Sequence, residues 1–373
     1  MWLVALQCSF VLATLIQLGF WLGLFSRLAF YRKEKPPANL AAAPGVSIII
    51  CAHNEAENLR NFLPSILQQD YENFEVIVVN DQSVDNSNAI LLEFQKNYPI
   101  LHTIIESNKE LPGKKSALSK GILAAKNEIL LLTDADCFPN SSYWLSSMVA
   151  HFSAETPIVL GYSPYRKENS PLNFFIQYET VYTATQYFSF ALAGLPYMGV
   201  GRNLAYAKTI FKEQDGFNKH LHIASGDDDL FISQATLRYP AKINMEPLSF
   251  VYSIPKESWK SYYYQKCRHL STASSYRPVH QFLLGLLAWS HLWHYLSGLA
   301  LLIFCSTCLP LIATGYLVRI GMVSFMYWHI MGKLQRPELR LWTPLLDAGY
   351  CLYYLIFAPA LIINGSNYKS SWT

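Results

Sequence analysis

The sequence predicts an α/β domain, a mainly parallel sheet with helices on both faces, held between transmembrane helices. Three observations carry that prediction. Short β-branched runs alternate with amphipathic stretches from Val46 onward. Long, almost uncharged apolar segments occupy both ends of the 373 residues. Charged residues make up 15 % of the chain, against ~25 % in an average soluble protein.

The first element is the N-terminal apolar run. Residues 2–26 carry no charge, and Arg27, Arg32, Lys33 and Lys35 follow. Such a run is long enough to cross a hydrocarbon core of ~30 Å. It has no basic leader and no small-residue cleavage site, which predicts a retained helix over residues 1–30 and not a signal peptide. The basic cluster places its C-terminal end in the cytoplasm. Pro36-Pro37 and the small residues up to Gly45 make a linker.

A domain over residues 45–275 comes next. Strands are predicted at 46–51, 75–80, 100–105 and 128–133, with helices at 56–69, 87–97 and 115–126. Strand–helix alternation at this spacing implies right-handed crossovers and a parallel sheet covered on both faces. Residues 172–195 look apolar enough to span, but Gln177, Glu179 and Gln186 interrupt them. A crossing there would also separate Asp134 and Asp136 from Asp227 and Asp228. The segment is therefore expected to pack on the domain or lie in the membrane interface.

Three C-terminal transmembrane helices are predicted within 282–364, at 282–304, 309–331 and 344–363. Lys333, Arg336 and Arg340 lie between the last two and place that loop inside. The protein is then integral to a plasma or inner membrane, its domain is cytoplasmic, and the chain ends outside. Arg319, in the middle of a span, contacts either a lipid phosphate or its own bundle. Seven cysteines, an odd number without paired spacings, read as free thiols on a reducing side. Cys305 and Cys308 form a CxxC, which reads as a shared packing face before a redox or metal pair. A net charge of +3 without a dense basic stripe is too small to imply a nucleic-acid partner, and none is expected.

The residues that carry chemistry sit where strands end. The first strand opens into His53-Asn54-Glu55, at the edge where an α/β sheet exposes its ligand crevice. Asn54 is equally a helix cap. The second ends in Asn80-Asp81-Gln82-Ser83-Val84-Asp85; Asp81 can accept from a base or ribose, whereas Asp85 reads as a cap. The fourth ends in Asp134-Ala135-Asp136, two carboxylates that can share one hard divalent cation, Mg²⁺ or Mn²⁺. Gly113-Lys114-Lys115 puts a cation at a helix start, which suits a phosphate. Gly226-Asp227-Asp228-Asp229 crowds three carboxylates, and neighbouring like charges raise at least one pKa toward that of a general base. They could also be solvated turn residues. Gln265, Arg268 and His269 lie on an aromatic, basic stretch just before the second span.

In their order these pieces resemble the family 2 glycosyltransferases of GT-A fold, over roughly residues 45–275, and the membrane-integrated branch of that family over nearly the whole chain. The opening strand, the Asn80–Asp85 acidic segment, Gly113-Lys114-Lys115-Ser116-Ala117-Leu118, Asp134-Ala135-Asp136, the glycine-rich Met198–Tyr206, the Asp227-Asp228 pair and Gln265-x-x-Arg268-His269 each match a family element. Asn80 stands where the family has its first Asp, and His269 where it has Trp.

The resemblance implies an inverting transfer from a nucleotide-diphosphate sugar, expected to be a UDP-sugar, to a membrane-borne acceptor, expected to be a lipid. Asp81 would hold the uridine with Asn54 and Glu55 nearby. Asp136, assisted by Asp134, would hold the cation. Lys114 and Arg268 would face the diphosphate, and Gln265 and His269 the acceptor. Aligning on the acidic pair makes Asp228 the base; aligning on the Asp-Leu that follows makes it Asp227. A processive polysaccharide synthase and a non-catalytic scaffold are the alternatives. His269 offers less stacking area than Trp and a charge that switches near neutral pH, so the expected product carries one sugar or very few.

Overall fold

Buried β-branched runs build the centre of the domain. A computed structural model describes residues 1–32, 43–107, 113–221, 223 and 225–362, with side chains through Ala358. The chain opens with α1 (Trp2–Gly19), which continues through a π-helical segment, Phe20–Phe25, into α2 (Ser26–Ala29). The domain follows as β1 (Val46–Ala52), α3 (Ala56–Leu67), β2 (Phe74–Asp81), α4 (Ser87–Asn97), β3 (Leu101–Glu106), α5 (Lys115–Ala124) and β4 (Ile129–Asp134). Next come β5 (Cys137–Pro139), α6 (Trp144–Val149), β6 (Ile158–Gly161), α7 (Pro171–Leu192), β7 (Leu204–Ala207) and α8 (Lys208–Glu213). The domain closes with α9 (Asp229–Ala235), β8 (Ala241–Asn244), β9 (Val251–Ser253) and α10 (Trp259–Leu270). Three long helices end the chain: α11 (Pro278–Phe304), α12 (Leu309–Lys333) and α13 (Thr343–Ile362).

The main sheet has the order β3-β2-β1-β4-β7-β6-β8. β1 runs parallel to β2 and β4, and β2 parallel to β3, as the alternation predicts. Only β7 is reversed, pairing antiparallel with both β4 and β6. Side chains alternate across the pleat. Ile48, Ile50, Val76, Val78 and Leu131 therefore face one core with α3 and α6. Ile49, Ile77, Val79, Leu130 and Leu132 face the other. That second core continues into the apolar helices: Trp21 packs edge-on to Tyr327 at 4.9 Å, and Tyr178 of α7 tilts against the same ring at 5.8 Å. Domain and apolar helices thus share one packed interior. Most of residues 172–195 lie in α7, which is buried along most of its length, as the polar interruptions predict.

Three of the described helices are long and apolar enough to cross a membrane: Trp2–Ala29, Pro278–Phe304 and Ser306–Lys333. α13 forms where the fourth crossing is expected, with Asp347 and three tyrosines among its residues. Its rings pack on the domain. Tyr350 meets Phe175 and Tyr182 of α7, and Phe357 stacks on Tyr263 of α10 at 5.3 Å. The predicted outside terminus, from 363 onward, lies beyond the described residues.

Arg319 contacts its own bundle. Its guanidinium meets Asp347 of α13 at 2.5 Å and donates to Gln17 of α1 at 3.0 Å, at 1 % exposure. The thiol expectation is also corrected: Cys305 and Cys308 are joined as a disulfide in the α11–α12 connection, and Gln7 donates to Cys308 Sγ at 2.9 Å. Three residues of separation at a helix end bring the two sulfurs together.

Candidate active site

The C-terminal edges of β1, β2 and β4 converge because parallel strands in register end together. Cys51 lies beside Asp134, and Ala52 beside Asn80. Past β1 the backbone turns sharply at Asn54, with φ +56°. Asn54 Oδ1 accepts from Val84 N at 2.8 Å, and its own N–H donates to Ser83 Oγ. Asn54 therefore clasps the loop after β2. Asp85 Oδ1 accepts from Ser87 N of α4 at 3.0 Å, the cap its position predicts, and its Oδ2 accepts from Ala56 N of α3 at 3.0 Å. Asp81 is fully buried at the end of β2, and its carbonyl meets His53 Nδ1 at 2.5 Å.

In front of this edge lies a cavity of about 800 Å³. Glu55, Lys114, Asp134, Asp136, Asp227, Asp228, Gln265, Arg268 and His269 all line it. Asn54 and Asp81 do not; they stand behind the wall in the β1 and β2 loops. Nine of the eleven predicted site residues thus meet around one space.

The electrostatics are those of crowded carboxylates. Asp134 is ion-paired with Lys114, and that cation holds the carboxyl below its usual range despite burial. Asp136 is pushed up by burial and by Asp134 beside it. Burial raises Glu55 to about 7, with Asp136 and Asp134 adding to the push. Asp134, Asp136 and Cys137 bring donor atoms within 4.8 Å of one another. Burial and the Asp136 charge hold the Cys137 thiol well above its usual pKa, so it stays protonated and donates to Asp136 Oδ1 at 3.1 Å. The remaining donors are hard carboxylate oxygens, a set that suits Mg²⁺ or Mn²⁺.

The three consecutive carboxylates after Gly226 separate in role. The backbone turns at Gly226 with φ +91°, a conformation that favours glycine. Asp228 caps α9: its oxygens accept from Asp229 N at 2.7 Å and Gly201 N at 2.8 Å. A Cβ on Gly201 would come within 3.2 Å of that carboxylate, so the close approach needs glycine. Burial, Asp227 and Asp229 together raise Asp228 to about 7. Asp229 accepts from Thr272 at 2.5 Å and Tyr276 at 2.7 Å, tying α9 to the segment leading into α11. Asp227 faces the cavity beside Lys114 without a hydrogen bond among the described residues.

Several cavity residues were missed by the sequence reading. Arg202 lies over the Tyr165 ring at 4.4 Å and raises the positive potential near Asp134 and Asp136. Its signal was present, inside the glycine-rich Met198–Tyr206 segment. Lys266 pairs with Glu179 of α7 at 2.5 Å, both buried, a contact no local motif encodes. His269 faces into the cavity. Desolvation, with Lys266, Arg268, Arg202 and Lys256 around it, pushes its imidazole below the usual pKa, although the residue is exposed.

Comparison with known proteins agrees with this geometry. Residues 47–214 match the family described as Glycosyl transferase family 2. The chain is similar to a poly-beta-1,6-N-acetyl-D-glucosamine synthase of Staphylococcus epidermidis, 35 % identical over 114 residues, which are 29 % of this chain and 27 % of the relative. It is also similar to the probable glycosyltransferase YdaM of Bacillus subtilis, 26 % identical over 242 residues, 62 % of this chain and 55 % of that one. The chain thus spans about half or less of the curated relatives it matches. The fold is that of a mannosyltransferase, PcManGT, from Pyrobaculum calidifontis, solved with GDP-Man and Mn²⁺. There the TM-score is 0.59 at 19 % identity, covering 93 % of this chain and 99 % of that one. The chain therefore carries a family 2 glycosyltransferase domain of GT-A fold, in a protein with three candidate membrane spans.

Proposed function

We propose that the protein moves one sugar from a nucleotide-diphosphate sugar, a UDP-sugar first, to the hydroxyl of a membrane-borne lipid, with inversion. One observation carries this reading: the cavity that holds the carboxylates also reaches α11, a candidate membrane span, at Leu284, Ala288 and Leu292. A water-soluble acceptor would not need that connection.

The residues divide the work by position. Asp81, behind the β1 edge, holds the nucleoside. Asp134 and Asp136 hold Mg²⁺ or Mn²⁺, and the cation, when bound, supplies positive charge to the diphosphate. Lys114, Arg202 and Arg268 add to that charge where the leaving group develops it. The pair Asp227–Asp228 supplies the base. Sequence alignment on the pair favoured Asp228, but both its oxygens hold backbone amides, so Asp227 is the carboxylate left to take the acceptor's proton. Asp228 then fixes the loop that presents Asp227. His269 and Gln265 border the acceptor side.

The domain is assigned to the cytoplasm. Arg27, Arg32, Lys333, Arg336 and Arg340 gather at the domain ends of the spans. The Cys305–Cys308 disulfide sits at the far end of α11, as expected for a connection facing an oxidising compartment.

The similarity to a poly-beta-1,6-N-acetyl-D-glucosamine synthase favours a second reading, a processive polysaccharide synthase. Membranes holding the protein, given a panel of labelled nucleotide-sugars with and without chelator, separate the readings. Label entering the lipid extract only without chelator supports the first. Label in a long water-soluble polymer supports the second. No transfer from any donor leaves the scaffold alternative.

A further inference from the structure

The cavity has a second end, away from the carboxylates, and its walls change there. On α11 the lining past Gln281 is apolar, with Leu284, Gly285, Ala288, Trp289 and Leu292 spaced three and four apart along one face. On α13 the corresponding stripe is Tyr354, Leu355 and Ala358. Gly285, Trp289, Leu355 and Ala358 are exposed as well as cavity-lining, so the space opens sideways between the two helices. A Cβ built on Gly285 meets nothing within 4 Å, which marks open room at the mouth. α11 is a candidate span, so in a bilayer that mouth would open toward hydrocarbon.

The two helices are held together beside this opening. Tyr295 of α11 donates to Asp347 of α13 at 2.8 Å, and Tyr182 of α7 bonds Tyr354 at 2.8 Å. The gap between Gly285 and Ala358 is therefore framed by fixed contacts.

We propose that the seam between α11 and α13 is a lateral portal that takes the hydrocarbon tail of a neutral, hydroxyl-bearing lipid from the bilayer and leads its head to Asp227. This rests on the transfer reading above and specifies its acceptor. One feature selects a neutral head. The free carboxylate of Asp227 serves as base to an alcohol, whose proton it must take, whereas a phosphate oxygen attacks without one. The tail needs no polar contact; the apolar stripes of the two helices supply the burial.

The full-length protein in phosphatidylcholine vesicles tests this with a diacylglycerol carrying a diazirine on one acyl chain. Photolysis should attach the probe to α11 between 284 and 292 and to α13 between 354 and 358. Gly285→Trp should fill the mouth, lowering both this labelling and transfer to diacylglycerol by roughly 10²-fold, as misplacing a reactant can. Nucleotide-sugar binding by the same variant should stay at the wild-type value, which also reports that it folds. Leu302→Trp, on an exposed part of α11 outside the cavity, should behave as wild type. Labelling elsewhere in the wild-type protein, or equal transfer by the Gly285 and Leu302 variants, overturns the portal while transfer to lipid stands. Transfer to polyprenyl phosphate in place of diacylglycerol overturns the neutral head. A wild-type protein that glycosylates soluble saccharide and no lipid overturns the proposed function, and the portal with it.

Discussion

Asp227, Asp228 and Asp229 are adjacent in the chain, yet each carboxylate meets a different environment: the cavity, two backbone amides, and two hydroxyl donors. Mutation should separate them. Asp227→Asn should bind donor normally and lose transfer by roughly 10²–10⁴-fold, the usual share of general base catalysis. Asp228→Asn should retain much more; the reverse pattern would move the base to Asp228. The pH profile gives an independent check. Burial, with the charges of Asp227 and Asp229, holds Asp228 at about 7; its ionised form is the stronger acceptor for the two amides that fix the Asp227 loop, so transfer should rise as pH passes upward through that value. Asp228→Asn removes that titration, so this limb should disappear. The sign for stability is opposite: a carboxyl with a raised folded pKa binds its proton more tightly when folded. Stability falls as pH rises from the ordinary carboxylate range through about 7, and Asp228→Asn should flatten that slope. At the metal site, Asp136→Ala should abolish transfer and weaken nucleotide-diphosphate binding; full activity in excess chelator would remove the cation's role. The acids and Lys114 were legible in sequence because strand ends mark them. The division among the three aspartates was not, since it depends on Gly201, Thr272 and Tyr276, all remote in the chain.

Among the elements, α13 holds a contact that its composition does not show. Counting apolar residues from 344 to 363 predicts the helix, but not what its Asp347 meets. The structure pairs it with Arg319 of α12, near His291 of α11, all buried. Removing one partner of such a pair strands the other charge. Asp347→Ala should therefore cost about 3–5 kcal/mol of stability, whereas replacing both Asp347 and Arg319 by apolar residues of similar size should recover most of it. Thermal unfolding in detergent reads both; equal loss in the single and double variants would contradict the pairing. By contrast, β1 to β4 and their helices were readable to within a residue or two, because a buried parallel strand must be a continuous apolar run. β7, the antiparallel strand, was not predicted: Leu204–Ala207 is four residues long, and its partners are set by the sheet, not by its own composition.

At the scale of the whole molecule, the shared interior of the domain and apolar helices ties the reaction centre to the bilayer. Lys333 shows this tie at one point, donating to the carbonyls of Leu28 and Ala29 and so joining α12 to the end of the first span. The topology follows: the 333–340 loop and the catalytic domain should be labelled from one side, and the Cys305–Cys308 connection, after reduction, from the other. Labelling of both from the same side would mean that α11 does not cross. The membrane segments could be read from composition and flanking charge; the seam between α11 and α13 could not, because it is made by two stripes some sixty residues apart that only packing brings together. The central claim, transfer of one sugar onto a lipid, is tested most directly by product mass. Purified protein in vesicles with a nucleotide-sugar, Mn²⁺ and diacylglycerol should give a lipid extract with one new species, heavier by a single sugar residue. A ladder of long products, or a polymer with no lipid attached, would contradict it.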